Sequence, residues 1–255
     1  MTYYTQGFAN FYDRHFTGWV REYSPALADY LDRTDDRRSV LDLCCGTGVT
    51  TAVLSERGWQ VTGLDRSAPM LRIAGKVLAD EVHAGNVRLV EGDARDFRLP
   101  EPVGACVCLD GALNHFESPR DLVRCFTCVA AALHEGGQFV FDLFELAHFR
   151  HWNNLTLIDE DDTVVAKRGV WDTEAERGML RVSGVVGSHT GIVRVDQTLT
   201  SRYISPAEVT SALAEAGLVH VEHDIAAQYT KCESGSCSKS AVPCRTVYRA
   251  LKPAR

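Results

Sequence analysis

The chain has 255 residues, 45% of them hydrophobic and 24% charged, and it carries a formal net charge of −7. Such values are typical of a globular α/β protein with room for an insertion, and the acidic balance disfavours a nucleic-acid partner. The sequence shows no signal peptide and no apolar stretch of about 18 residues, so we expect a cytoplasmic location and no membrane partner.

Nine cysteines are present, an odd number in a chain without a leader, which predicts reduced thiols. Cys125 and Cys128 fall on a predicted helix with apolar neighbours, so we expect them to pack in the core as small hydrophobic residues. The spacing of Cys232, Cys237 and Cys244 does not match the tight pairs of structural zinc sites. We therefore predict no metal site, and the role of these three cysteines stays open.

Aromatic and aliphatic residues at helical spacing in residues 7–31 predict one or two N-terminal helices. Apolar runs then alternate with helix signals, among them Ser67 and Ser118 as caps with a proline in the first turn. This alternation predicts a parallel, doubly wound sheet. Its first five strands are expected at residues 40–43, 60–64, 87–90, 105–109 and 138–143.

The pattern changes after the fifth strand, where apolar and polar residues alternate from 163 to 203. This alternation predicts two or three inserted antiparallel strands, preceded by a solvated acidic loop at 159–162. Ser205 and Glu208 then form a predicted capping box. Strands at 218–225 and 244–251 follow, the last one antiparallel. The fold class expected is α/β, a Rossmann-like, doubly wound seven-stranded sheet with an inserted antiparallel β-subdomain.

A glycine-rich turn, residues 44–48, follows Asp42 at the end of the first strand. Backbone N–H groups at the start of the next helix can bind an anion, and the glycines allow close approach. The fingerprint of a NAD-dependent oxidoreductase requires a third glycine where this chain has Thr51. The other interpretation is a site for S-adenosylmethionine (SAM), in which Asp42 faces the ammonium side of the cofactor.

Acidic residues follow the next two strands. Asp65 ends the second strand, where a carboxylate can accept hydrogen bonds from both ribose hydroxyls, although an exposed loop aspartate is the alternative. After the third strand, the Gly92-Asp93-Ala94 turn suits an adenine edge, with Asp93 accepting from the exocyclic amine and the Ala94 backbone meeting a ring nitrogen. A type I turn is the alternative. A dehydrogenase has no particular need for this element, so it favours SAM.

Together these segments resemble the class I SAM-dependent methyltransferases. Within that family the chain is similar to the small-molecule N- or O-methyltransferases of natural-product and amino-sugar metabolism. Cys44 stands where the family often has Gly or Ala, and it is small enough to fit. The segments that carry the resemblance are 8–13, 40–48, 61–71, 91–97, 108–116 and 136–143, together with the inserted strands.

The resemblance implies a methyltransferase with SAM as cofactor, S-adenosylhomocysteine as product and a small-molecule methyl acceptor. It implies a helical lid (1–38), a SAM-binding core (39–150), inserted strands that cover the substrate (151–204) and the end of the core sheet (205–255). A homodimer is compatible with it. The cofactor-binding residues expected are Asp42, Cys44, Gly46, Gly48, Asp65, Arg66, Met70, Gly92, Asp93, Ala94, Leu109 and Asp110.

The loop after the fourth strand carries the candidate catalytic residue, because ligands of open α/β sheets bind at this edge. His115 titrates near neutrality and is expected to take a proton from an amine or phenol, with loop packing as the alternative. Asp110 either contacts the methionine ammonium or caps the strand. Tyr12, the second candidate catalytic residue, and Tyr4 are placed to reach over the sulfonium, with aromatic packing as the alternative. The substrate contacts expected are Tyr4, His148, His151 and Trp152.

Two other functions stay open at this point. A NAD-dependent oxidoreductase is disfavoured by Thr51 and by the turn at 92–94. A non-catalytic SAM-binding protein would share every cofactor motif and differ only in having no acceptor.

Overall fold

The computed structural model describes residues 4–150, 152–188, 191–221 and 244–254, which form two sheets and the helices packed on them. The strands are β1 (Ser39–Leu43), β2 (Gln60–Asp65), β3 (Val87–Glu91), β4 (Val103–Cys108), β5 (Leu133–Phe144), β6 (Leu155–Glu160), β7 (Thr163–Asp172), β8 (Arg177–Ser188), β9 (Gly191–Arg202), β10 (Val219–Val221) and β11 (Arg245–Leu251). The α-helices are α1 (Gln6–His15), α2 (Gly18–Thr34), α3 (Val49–Glu56), α4 (Ala68–Val77), α5 (Ala79–His83), α6 (Pro119–Ala132), α7 (Leu146–Phe149) and α8 (Pro206–Glu215).

The larger sheet has seven strands in the order β10-β11-β5-β4-β1-β2-β3. β1 is parallel to β2 and β4, whereas β11 is antiparallel to both β5 and β10. The predicted fold class and the antiparallel last strand are therefore confirmed. The second part of the strand expected at 218–225, together with Cys232 and Cys237, lies outside the described residues.

Both faces of this sheet are covered, as parallel strands require. Successive residues of β4 alternate between two hydrophobic clusters, with Cys106 and Cys108 in one and Ala105 and Val107 in the other. The first cluster includes α6 and α8, and the second includes α2 and α3. Cys125 of α6 is fully buried in the first cluster, and Cys128 packs against that cluster partly buried. The pair therefore serves as small hydrophobic residues of the core, as predicted.

The insertion is a separate antiparallel sheet of four strands, β6-β7-β8-β9, rather than the two or three expected. The additional strand, β6, escaped prediction because its outer residues Leu155 and Leu157 are 69% and 62% exposed and it has little buried surface. The acidic run at 159–162 is only in part the loop expected. Its first two residues end β6, and the other two form the turn into β7.

Serine caps mark the helix starts as expected. Ser67 caps α4, and Ser118 forms a full capping box at α6. At α8 the Ser205 side chain accepts from the backbone N–H of Glu208, but the predicted second bond of the capping box, from the Ser205 N–H to the Glu208 carboxylate, is not formed. Its carboxylate instead binds the guanidinium of Arg202, whose side chain is 8% exposed. A buried guanidinium without a carboxylate partner costs more free energy than a missing capping hydrogen bond, so the Glu208 carboxylate pairs with Arg202.

Helix α1 connects the two sheets. It packs against β8 and β9 of the second sheet and against α4 of the core. Its residues Phe8 and Phe11 share a hydrophobic cluster with Met70 of α4 and Val195 of β9. Among the helices of the described residues, none is long and apolar enough to cross a membrane.

Candidate functional site

A cavity of about 310 Å³ opens between the core, α1 and the inner face of the second sheet. The core supplies polar groups such as Asp65, α1 supplies aromatic rings, and the second sheet supplies Lys167, Leu180 and Leu199. The cavity thus lies at the edge of the sheet where the sequence predicted a site. Of the predicted residues, those that line it are Tyr4, Tyr12, Cys44, Gly46, Asp65, Met70, Leu109, Asp110, His115, His148 and Trp152.

Asp65 is held by the turn on which the nucleotide prediction rested. One carboxylate oxygen accepts from the N–H of Gly46 at 2.9 Å and the other from the N–H of Ser67 at 2.8 Å. Burial raises the pKa of Asp65, and these two N–H groups oppose that rise. The carboxylate is therefore fixed in direction, with lone pairs left to accept hydrogen bonds from a ligand.

A smaller cleft of about 20 Å³ adjoins the cavity and shares the walls formed by Tyr12 and Cys44. It contains Asp42, which accepts a hydrogen bond from the Thr51 hydroxyl at 2.6 Å. Thr51 stands where a dinucleotide site has its third glycine, and here its hydroxyl serves as the hydrogen-bond partner of Asp42. Burial raises the pKa of Asp42 to about 7. The hydroxyl of Thr47 also lies here, buried and without a hydrogen-bond partner in the part of the chain described.

Five predicted cofactor residues do not line the cavity or the cleft. Gly48 has a φ of 86° and lies close to α4, where a Cβ would approach Ala74 at 3.1 Å, so it has a packing role. Arg66 is exposed, and its charge opposes the rise in the pKa of Asp65 and adds to the lowering of the pKa of Asp93. The other three residues, Gly92, Asp93 and Ala94, form the turn after β3.

Asp93 is tightly paired within its own turn. Both of its carboxylate oxygens accept from the guanidinium of Arg95, at 2.9 and 2.6 Å, and this pairing lowers the pKa of Asp93 to about 2. The guanidinium also contacts Asp121 at 3.2 Å. An adenine amine would have to share this carboxylate with Arg95, so the predicted contact of Asp93 with adenine stays a prediction.

His115 lines the cavity and is fixed by the second sheet. Its Nδ1 lies 2.7 Å from the carbonyl oxygen of Thr200 and 3.1 Å from the hydroxyl of Ser201. A carbonyl only accepts, so Nδ1 carries the proton and Nε2 of the neutral ring keeps its lone pair. Burial lowers the pKa of His115 below 6.5, which leaves the ring neutral at pH 7. His115 is thus arranged as a proton acceptor.

Tyr12 is not arranged as a base. Its hydroxyl donates to Asp110 at 2.7 Å, and burial together with that carboxylate raises the pKa of Tyr12 well above 10. The side chain stays protonated and presents its ring and oxygen to both the cavity and the cleft.

Aromatic rings form most of the remaining wall. His148 stacks on Phe144 with ring centroids 3.9 Å apart, and Trp152 packs edge-on against His148. Tyr4 packs on Phe8 at 4.8 Å. These rings give an apolar surface around a few polar groups, as in most small-molecule sites. The predicted contact at residue 151 lies outside the described residues.

Sequence reasoning missed several groups at the cavity. Lys167 and Ser201 line it from the second sheet, and Arg245 contacts Asp110 from the last strand. Arg245 carried a readable signal, since it is a charged residue that opens an apolar strand. No sequence signal marked Lys167 and Ser201, because their positions depend on how the second sheet folds over the core.

The loop after β4 depends on a glycine. Gly111 has a φ of 61°, and a Cβ there would lie 2.3 Å from the ring of Phe144. We expect Gly111→Ala to lower the free energy of unfolding by about 3 kcal/mol, since backbone strain and overpacking add. In Gly85→Ala, at φ 79° with no atom within 4 Å, only the backbone penalty applies, and we expect about 1 kcal/mol. Denaturant unfolding measures both, and equal losses would contradict the proposed clash with Phe144.

Comparisons with known proteins agree with this geometry. Residues 40–137 match the family model described as a methyltransferase domain. The chain is 28% identical over 165 residues, 62% of this chain and 67% of the relative, to the dTDP-3-amino-3,4,6-trideoxy-alpha-D-glucopyranose N,N-dimethyltransferase of Streptomyces venezuelae. It is 25% identical over 202 residues, 78% of this chain and 79% of the relative, to the dTDP-4-amino-2,3,4,6-tetradeoxy-D-glucose N,N-dimethyltransferase of Saccharopolyspora spinosa.

Among solved structures, an S-adenosylmethionine-dependent methyltransferase from Clostridium acetobutylicum superposes with a TM-score of 0.77. The two chains are 19% identical, and the match covers 97% of this chain and 98% of the other, which establishes the fold. Residues 40–137 thus match a methyltransferase domain, and the fold is that of the class I SAM-dependent methyltransferases. The resemblance found in the sequence is thereby confirmed.

Proposed function

We propose that this protein is a SAM-dependent methyltransferase that transfers a methyl group to a nitrogen or oxygen atom of a small metabolite. The observation that carries the proposal is one cavity bordered both by Asp65 and by His115 with its Nδ1 bound to a carbonyl. The first group suits a ribose, and the second suits an acceptor that loses a proton.

Features of the cavity and its adjoining cleft fit SAM. Asp65 is directed by two backbone N–H groups and has acceptor capacity for two ribose hydroxyls. The adjoining cleft offers the Asp42 carboxylate and the buried Thr47 hydroxyl, polar groups that suit the amino-acid end of the cofactor. SAM would supply an activated methyl group, so the protein has only to position the acceptor, exclude water and accept a proton.

An amine nitrogen is the acceptor we favour. His115 is neutral above its lowered pKa and can take the proton that a secondary or primary amine releases on methylation. The aromatic wall around Tyr12, Phe144 and His148 keeps an uncharged amine away from water. Relatives named as N,N-dimethyltransferases of dTDP-linked amino sugars support an amino sugar as acceptor.

The affinity for SAM is expected to depend on pH through Asp42. The pKa of this carboxyl is raised to about 7, so it is mostly protonated at pH 6 and mostly ionised at pH 8. If the ionised form holds the ammonium group, SAM affinity rises about tenfold between these pH values. Calorimetric titration measures this dependence. We expect Asp42→Asn to bind weakly at both pH values, and a variant that keeps the full pH dependence would exclude Asp42 as its source.

Two measurements test the proposed function. In a thermal-shift assay we expect SAM or S-adenosylhomocysteine to raise the melting temperature and NADH to leave it unchanged; the reverse would support an oxidoreductase. In the second, SAM and a panel of amino-sugar nucleotides, amines and phenols are incubated with the protein. Mass spectrometry then detects the methylated acceptor. SAM binding without turnover on any acceptor in a metabolite extract would favour a non-catalytic SAM-binding protein.

A further inference from the structure

A buried arginine of the last strand reaches the wall of the cavity. Arg245 begins β11, and its side chain is 6% exposed. The guanidinium lies over the rings of Trp19 and Phe144, at 3.7 and 4.5 Å from their centroids. It donates to Asp142 at 2.5 Å and to Asp110 at 3.2 Å. A planar guanidinium can serve two carboxylates and two ring faces together, which an ammonium cannot.

The two carboxylates held by Arg245 have different further partners. Asp142 is fully buried on β5 and also accepts from the N–H of Gly111, so it anchors the loop after β4. Asp110 lines the cavity, and its other oxygen accepts from the hydroxyl of Tyr12 on α1. Arg245 therefore connects β5, the loop after β4 and the helix that covers the cavity.

We propose that Arg245 is a positioning residue for methyl transfer, acting through Asp110 to hold Tyr12 and α1 against the cavity. The proposal rests on the proposed function and adds to it a residue remote in sequence from the cofactor motifs. Asp110 has a φ of 68°, a left-handed conformation that costs free energy in a residue other than glycine, and Gly111 follows at 61°. Its conformation persists only because the surroundings hold it.

Removal of the guanidinium would leave Asp110 and Asp142 close together without a cation between them. Like charges in a buried place repel, so Asp110 is expected to turn away from Asp142 and toward water. That movement removes a charged acceptor from the hydroxyl of Tyr12. Because misplacement of about 1 Å can lower a rate about 100-fold, loss of this connection acts on turnover more than on cofactor affinity.

The test uses two substitutions of Arg245 and a double-mutant cycle with Tyr12. We expect Arg245→Met to lower kcat about 100-fold and Arg245→Lys, which keeps the charge and folds more safely, to lower it about tenfold. Tyr12→Phe removes only the hydroxyl. If Arg245 acts through that hydroxyl, the double variant Arg245→Lys with Tyr12→Phe is no slower than the slower single variant.

A second readout does not depend on activity. We expect amide hydrogen exchange within residues 6–15 to rise several-fold in both Arg245 variants, while exchange in β1 and β4 stays unchanged. The matched control is Arg249→Met on the same strand, where the guanidinium lies over Tyr30 at 5.5 Å and away from the cavity. This control should keep full activity and normal exchange in α1.

Two results would overturn the proposal. One is full additivity of the Arg245→Lys and Tyr12→Phe effects on kcat. The other is an unchanged rate of exchange in α1 in Arg245→Lys. If the unaltered protein methylates no acceptor at all, the proposed function fails instead, and the exchange experiment still decides whether Arg245 holds α1.

Discussion

Substitution of His115 by Ala is expected to lower kcat at least about 100-fold while the affinity for SAM changes less than about threefold. The reason is the geometry of the ring. The Thr200 carbonyl accepts a hydrogen bond from Nδ1–H, so Nε2 is the nitrogen with a lone pair, and burial lowers the pKa of the ring and favours its neutral form. Tyr12 cannot take this role, because burial and Asp110 hold it protonated and its hydroxyl donates to that carboxylate.

A second substitution separates a base from a structural residue. His115→Asn can still donate an N–H to Thr200 but has no nitrogen that accepts a proton. We expect it to be as slow as the alanine variant, whereas recovery of activity would make His115 a residue that only orders the loop. The exposed His83→Ala on α5 serves as the control. In the unaltered protein the rate should fall on the acidic side below pH 6.5, where the lowered pKa lies.

Asp65→Ala is expected to weaken SAM binding by about 10- to 100-fold, with a smaller effect on the rate at saturating SAM. Buried ribose hydroxyls would lose a charged acceptor, which costs about 1.5–3 kcal/mol. The two N–H groups that direct the carboxylate, from Gly46 and Ser67, would lose their acceptor too. Calorimetric titration with SAM and with S-adenosylhomocysteine measures the change directly.

Two control variants separate the charge of Asp65 from its shape and from the general effect of removing a carboxylate. Asp65→Asn keeps an acceptor oxygen and the shape of the side chain, so we expect an intermediate affinity. Asp80→Ala removes an exposed carboxylate from the first turn of α5 and should bind SAM normally. Unchanged SAM affinity in Asp65→Ala would remove this residue from the cofactor site.

The part of the site that the sequence predicted lies close to the ends of the core strands. Asp42 and Asp65 lie at the ends of β1 and β2, Gly46 follows β1, and parallel strands bring such residues to one edge. Short apolar runs and helix caps are sufficient to place those strands. This is why local patterns could predict the strands of the seven-stranded sheet and the side of the cavity that is proposed to hold the cofactor.

The contacts that fix the residues on the other side of the cavity could not be predicted in the same way. His115 depends on Thr200, 85 residues away, and Asp110 depends on Arg245, 135 residues away. These contacts require the second sheet and β11 to be in place, and no local pattern encodes that placement. Asp93 is a local case, since both of its carboxylate oxygens accept from Arg95, two residues away, and its predicted contact with adenine stays a prediction.

The cysteines packed behind the cofactor motif have a chemical consequence. Burial raises the pKa of Cys45, Cys106 and Cys125 well above 9. A hydrogen bond with Cys44, together with burial, does the same for Cys108, so each of the four is a neutral thiol at physiological pH. Thiolates, and not thiols, are the strong nucleophiles. An enzyme that holds a methylating sulfonium beside four ionised cysteines would alkylate itself. The same burial that makes these residues good core packing also keeps them inert toward the proposed cofactor.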